Sequence, residues 1–194
     1  MKSEFNMVIV GVGGQGTLLS SKILGYLAMR ANQSVKLSEV HGMSQRGGDV
    51  ITHVRIGKEV HAPMVAPGEA DFLLGFEELE AVRAFPYLKE DGIAIVNKQR
   101  IMPLPVTTGA MKYPEDALSV FNKHKLEAVD AKTLAQKAGN VKAVNVVLMG
   151  MLSRYLNYSK EAWLEAIKAC VPSKTLEINT KAFELGREWE DNLN

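Results

Sequence analysis

Hydrophobic and polar positions switch between two periods along the chain. Residues 6–10 (NMVIV) form a short apolar, β-branched run that stops at glycine, the pattern of a buried parallel strand. Residues 17–30 then place Leu19, Ile23 and Leu27 on one helical face, and residues 35–40 predict a second strand. Strand, glycine turn, helix and strand thus follow within about 35 residues, the size of a βαβ unit. Val50, Thr52, Val54 and Ile56 alternate with other residues, which predicts a strand with two different faces. Gly57-Lys58 reads as a turn back along residues 59–60, a hairpin that interrupts the βα alternation.

Further along, residues 71–76 (DFLLGF) predict a third buried strand, residues 77–85 a helix stopped by Pro86, and residues 92–97 (GIAIVN) another strand. Residues 102–106 carry two prolines and suit an edge or irregular segment. Asp130 is placed to cap a helix that ends at Gly139. The last third is helical. Val144, Val147, Leu148, Met151, Leu152 and Tyr155 keep helical spacing, and Val146, Met149 and Leu156 make that helix apolar almost all round, so it is expected to be buried. Ala162, Trp163 and Ile167 belong to another helix, and Ile178, Ala182, Leu185 and Trp189 line one face of a final one.

Composition narrows the class. A chain of 194 residues suits one domain, here residues 1–194, and 46% hydrophobic residues supply a substantial core. A net charge of +1 gives no reason to expect nucleic-acid binding. The longest apolar runs fall short of a membrane span, and the N-terminal residues do not read as a signal peptide, so the expectation is a cytoplasmic protein without a membrane partner. Cys170 is the only cysteine. It excludes an intrachain disulfide and a four-thiolate iron–sulfur cluster, and it reads as a buried small hydrophobe at a helix end. His41, His53, His61 and His124 are too scattered for a local metal motif.

Gly11, Gly13, Gly14, Gln15 and Gly16 lie in a G-x-G-x-x-G directly after a strand and before a helix. The first glycine permits a tight turn, the second lets a ligand approach the backbone, and the third lets helix and strand pack closely. Free N–H groups at the helix start favour a phosphate. The same glycines also serve a turn that binds nothing. Glu39 follows Gly16 by 23 residues (39 − 16), where a dinucleotide fold keeps its ribose-binding acid at roughly 20. It reads equally as a solvated strand end or a salt-bridge partner. The overall expectation is an α/β fold, a Rossmann-like, mostly parallel sheet flanked by helices, with a β-hairpin insertion and a helical C-terminal part.

A second glycine-rich segment follows: Glu39, Val40, His41, Gly42, Met43, Ser44, Gln45, Arg46, Gly47 and Gly48. In a doubly wound sheet it shares the C-terminal edge with the first turn, where ligands bind. Arg46 brings a planar donor fork for carboxylate or phosphate. His41 reads as a loop hydrogen-bonder or a proton-transfer group.

Together, Gly-x-Gly-Gly-Gln-Gly and Glu-x-His-Gly-Met-Ser-Gln-Arg-Gly-Gly resemble the gamma subunit, or gamma domain, of 2-oxoacid:ferredoxin oxidoreductases. Residues 50–55 (VITHVR), 68–74 (GEADFLL) and 143–150 (AVNVVLMG) continue the likeness over essentially the whole chain. The tail, at residues 163–167 and 179–186, is similar to the beta subunit of indolepyruvate ferredoxin oxidoreductase. The resemblance implies a non-catalytic small subunit beside a large catalytic subunit. That partner would carry thiamine diphosphate and iron–sulfur clusters, decarboxylate a 2-oxoacid with coenzyme A, and reduce ferredoxin. No cofactor is expected in this chain itself, which has no Gly-Asp-Gly with a following Asn pair. It also implies a coenzyme A or substrate region at the subunit interface, formed by Gly11, Gly13, Gly14, Gln15, Gly16, Glu39, His41, Gly42, Ser44, Gln45, Arg46, Gly47 and Gly48. Other readings stay open: service to pyruvate, 2-oxoisovalerate or 2-oxoglutarate, a stand-alone NAD- or flavin-binding oxidoreductase, or glycine segments that serve docking alone.

Overall fold

The computed structural model describes residues 1–42 and 48–190. In chain order its elements are β1 (Phe5–Val12), α1 (Thr17–Arg30), β2 (Ser34–His41), β3 (Asp49–Gly57), β4 (Ala70–Gly75), α2 (Glu78–Ala84), β5 (Leu88–Asn97), α3 (Leu104–Thr107), β6 (Lys125–Val129), α4 (Ala131–Ala138), α5 (Val144–Leu152), α6 (Lys160–Cys170) and α7 (Leu176–Arg187). The strands form one six-stranded sheet in the order β2-β3-β1-β4-β5-β6. β1, β4, β5 and β6 pair in parallel, while β3 runs antiparallel to both β1 and β2.

That topology moves the expected hairpin. Gly57-Lys58 does not return the chain along residues 59–60. β3 instead pairs antiparallel with β2 and inserts between β2 and β1. It pairs from Phe5↔Ile56 to Val12↔Asp49 on one edge and from Ser34↔Gly57 to His41↔Val50 on the other, so both of its edges are used. Residues 58–60 leave the sheet, and the Val60 N–H donates to the Ser34 hydroxyl at 3.2 Å. β1, α1 and β2 are therefore a crossover between two strands of the same sense that are not neighbours.

Alternation along the central strands divides the core. Met7, Ile9, Phe72 and Leu74 face α1 and α5, with α7 packed against α5, whereas Val8, Val10, Leu73 and Val96 face α2 and Phe121. Residues 145–152 of α5 are all buried, as an all-apolar helix requires. α5 crosses α7 at two glycines. A Cβ on Gly150 would fall inside van der Waals contact with the Phe183 carbonyl, and one on Gly186 would do the same to the Val147 carbonyl.

Local signals explain the helix ends. The Asp130 carboxylate accepts the Thr133 N–H at 3.0 Å, and Gly139 closes α4 with φ 116°. Pro103 and Pro105 start the single turn of α3, where a missing N–H costs nothing, so the segment expected to be irregular is partly helical. Cys170 ends α6 half-buried rather than fully buried, and burial pushes its thiol up. No helix among the described residues is long and apolar enough to cross a membrane.

Candidate functional site

The shared sense of β1, β4, β5 and β6 gathers their C-terminal ends along one edge. The glycine turn leaves β1 at that edge and enters α1. Gly14 (φ 94°) and Gly16 (φ 92°) hold backbone angles that side chains rarely adopt. A Cβ on Gly14 would meet open space, but one on Gly16 would lie 2.6 Å from Asn145 Nδ2. Gly11 is still strand; a Cβ there would meet Gln15 Oε1 at 2.6 Å and Phe76 Cβ at 3.0 Å.

Gln15 spends its amide on the protein. Its Oε1 accepts the Val12 N–H at 2.7 Å, and its Nε2 donates to the Phe76 carbonyl at 3.4 Å and to Gln99 Oε1 at 3.3 Å. It therefore ties the turn to the segments that leave β4 and β5. Gly13 is also committed, its N–H donating to the Gly48 carbonyl at 3.0 Å. This bond joins the two glycine segments, because antiparallel β3 starts beside the end of β1 (Val12↔Asp49). Gly42 donates to the Asp49 carbonyl at 2.8 Å, closing the stem of the second segment. Ser44, Gln45, Arg46 and Gly47 lie outside the described residues.

Glu39 has protein partners on both oxygens. Oε2 accepts from the Thr17 hydroxyl at 3.3 Å and the Thr52 hydroxyl at 3.0 Å, and Oε1 sits 2.8 Å from His41 Nε2. In a dinucleotide fold the equivalent acid waits for a ribose. Here β3 separates β2 from β1 and its Thr52 takes that carboxylate. His41 remains exposed beside it.

On the other side of the turn lies a cleft of about 370 Å³, lined by Gly14, Gly16, Gln99, Lys132, Lys142 and Val144 among others. Among the described residues, the N–H groups of Gly14, Gly16, Thr17 and Leu18 have no protein acceptor. These donors, the start of the α1 dipole and two ammonium groups suit a phosphate or carboxylate. The Glu39 charge near Thr17 works against an anion there, and the two lysines offset it. Neither lysine was singled out from the sequence. Lys132 follows Gly16 by 116 positions (132 − 16), so no local motif marks it, and only the topology brings α4 to the turn.

A buried carboxylate organises the far end of the same edge. Glu77 is 1% exposed and accepts from the Glu80 N–H at 2.9 Å, the Ile101 N–H at 3.1 Å and the Tyr113 hydroxyl at 3.0 Å. Burial first, and Glu77 second, push the Tyr113 phenol well above its usual range. Arg100 pairs with Glu78 at 2.7 Å. A four-thiolate cluster does not fit this chain, which has one cysteine, and no three His, Cys, Asp or Glu side chains among the described residues form a metal site.

Fold and edge together define an α/β domain of the dinucleotide-fold type with an antiparallel strand inserted beside its glycine turn. The family model for pyruvate ferredoxin/flavodoxin oxidoreductase matches residues 6–189, and the chain belongs to that family as an oxidoreductase subunit. It is 44% identical over 190 residues to the indolepyruvate oxidoreductase subunit IorB of Thermococcus kodakarensis, covering 94% of each chain. Among solved structures it is similar to the gamma subunit of keto/oxoacid ferredoxin oxidoreductase from Geobacter sulfurreducens, with a TM-score of 0.71, 25% identity, and 95% and 96% of the two chains covered. The fold also recurs in a 2-oxoglutarate:ferredoxin oxidoreductase chain from Magnetococcus marinus, with a TM-score of 0.73 and 18% identity. That match covers 96% of this chain but 31% of the other, whose structure holds 2-oxoglutarate, coenzyme A and succinyl-CoA.

Proposed function

We propose that this chain is the accessory small subunit of a cytoplasmic indolepyruvate-type 2-oxoacid:ferredoxin oxidoreductase, and that its cleft takes a phosphate of coenzyme A beside the large subunit. The observation that carries the reading is the juxtaposition of the Gly14 and Gly16 N–H groups, which have no acceptor among the described residues, with Lys132 and Lys142. The 44% identity to a protein named for indolepyruvate favours an aryl 2-oxoacid over pyruvate, 2-oxoisovalerate or 2-oxoglutarate. In this reading thiamine diphosphate and the iron–sulfur clusters belong to the large subunit, which carries decarboxylation and electron transfer to ferredoxin. This chain's own residues bind and orient: the turn presents backbone donors, Gln15 and Gly13 keep it rigid, and the lysines neutralise charge. The NAD reading loses ground because Glu39, its ribose acid, is engaged by Thr17 and Thr52.

The test is steady-state kinetics of the reconstituted complex with indolepyruvate and ferredoxin. Replacing either Lys132 or Lys142 by Ala should raise the KM for coenzyme A about ten- to a hundredfold, the loss of one charge-assisted bond of about 1.5–3 kcal/mol. The KM for indolepyruvate should not move. An unchanged coenzyme A dependence, or micromolar NAD binding to the isolated chain, defeats the reading.

A further inference from the structure

Residues 101–111 (IMPLPVTTGAM) carry no charged side chain, in a chain where 23% of residues are charged. Within this stretch Met102 is 50% exposed, Leu104 75% and Met111 64%. A lone exposed leucine needs no explanation, but three large apolar side chains presented by one short uncharged arm form a patch that soluble surfaces avoid unless it is used.

The arm is held out rather than left loose. Both of its roots are tied to the buried Glu77 carboxylate, which accepts from the Ile101 N–H on the way out and from the Tyr113 hydroxyl on the way back. Arg100 adds a second clamp, bonding Glu78 at 2.7 Å and the Glu115 carbonyl at 3.0 Å. Inside the arm, α3 forms one turn, and the Thr108 hydroxyl bonds back to the Leu104 carbonyl at 3.0 Å. A preformed apolar loop loses less freedom on binding than a loose one.

We infer that this arm is the docking element for the large subunit, with Leu104 seated in an apolar hollow of that partner. The inference rests on the accessory-subunit reading. Two observations favour the large subunit over a second copy of this chain. Ile101, at the root of the arm, also lines the lysine cleft, so a protein seated on the arm closes the rim of that cleft. In the Magnetococcus marinus protein the same fold is 31% of one longer chain, so this architecture also works joined to further protein.

The test uses the chain co-expressed with the large subunit of its own organism's oxidoreductase, and calorimetry of the separated subunits. Leu104→Asp and Leu104→Ser should keep the wild-type melting temperature of the isolated chain. Leu104→Asp should weaken assembly at least tenfold, and Leu104→Ser less. Met29→Asp, at a position 63% exposed on the far end of α1, should assemble as wild type. If wild type does not bind the large subunit, the accessory-subunit reading itself fails. If wild type binds and Leu104→Asp binds equally well, the arm alone is wrong. A dimer of the isolated chain that Leu104→Asp dissolves, with assembly unaffected, assigns the arm to a second copy and overturns the inference.

Discussion

Gly16 and Asn145 are in direct contact: the Asn145 side-chain amide donates to the Gly16 carbonyl at 3.4 Å, and a Cβ on Gly16 would stand 2.6 Å from that amide nitrogen. Asn145 is 4% exposed, so it has little room to withdraw. Gly14, two residues earlier, shares the left-handed backbone but faces open space. Gly14→Ala should therefore cost strain alone, about 1–2 kcal/mol. Gly16→Ala adds overpacking of about 1–3 kcal/mol to the same strain. At roughly 2–4 °C per kcal/mol for a chain of this size, thermal denaturation should show the Gly16 variant melting several degrees below the Gly14 variant. Equal melting temperatures would mean that the contact with α5 is not held in solution.

The contrast between these glycines shows what the sequence makes legible. G-x-G-x-x-G between an apolar run and a helical pattern announces the turn, and Asp130 with Gly139 announces α4, because caps and turns are written in adjacent residues. β6 escaped because its five residues (KLEAV) are too few and too exposed to show a period. The place of β3 escaped for a different reason. An alternating strand records which faces it covers but not which edges it pairs, and its insertion beside β1 decides the roles of Glu39 and Gly48. Gln15 and Glu39 read as ligand groups in sequence, yet both have protein partners that only the fold supplies. Lys132 and Lys142 carried no signal, since nothing near them in sequence refers to the turn they face.

Helix packing supplies a second prediction. Gly186 of α7 lies against the Val147 carbonyl of α5, and Gly150 of α5 lies against the Phe183 carbonyl of α7. Backbone on both sides leaves no flexible group to yield. Gly186→Ala should destabilise the chain by about 3 kcal/mol or more, the upper end of overpacking, despite the better helix propensity of alanine. Urea unfolding monitored by circular dichroism measures it. A stabilised variant would show that the two helices can slide apart at no cost.

His53 sets a pH dependence. It is 1% exposed, its Nδ1 accepts the Val65 N–H at 3.3 Å, and its ring meets Tyr87 edge-on at 5.5 Å. Burial lowers its pKa below the ordinary 6.5. The unfolded chain thus takes up a proton that the folded chain resists. Stability is fully present above pH 6.5 and declines as pH falls from 6.5 towards the folded pKa, at up to about 1.4 kcal/mol per pH unit. His53→Phe removes the titrating group and leaves the Val65 N–H unpaired, so it should be weaker at pH 7.5 and flatter between pH 6.5 and 5. Parallel stability profiles for the two proteins would move the pH dependence to another residue.

Gln15 separates structure from ligand binding at the turn. In Gln15→Glu the carboxylate still accepts the Val12 N–H, but it now faces the Phe76 carbonyl and Gln99 Oε1 with no proton to give. Both acceptors keep the Asn97 amide as a donor, so the cost is the loss of the two Gln15 bonds, together about 1–3 kcal/mol, and the melting temperature should fall by several degrees. Gln15→Ala gives up those two bonds and the acceptor for the Val12 N–H as well, so its melting temperature should fall too. The two variants part on coenzyme A. Gln15 lines the lysine cleft, and a carboxylate there repels a phosphate with a strength that salt screens. The KM for coenzyme A in the reconstituted complex should therefore rise more for Gln15→Glu than for Gln15→Ala, and the gap should narrow as ionic strength increases. If both variants show the same coenzyme A dependence at low and high salt, the anion does not lie in this cleft, whatever the two substitutions do to stability.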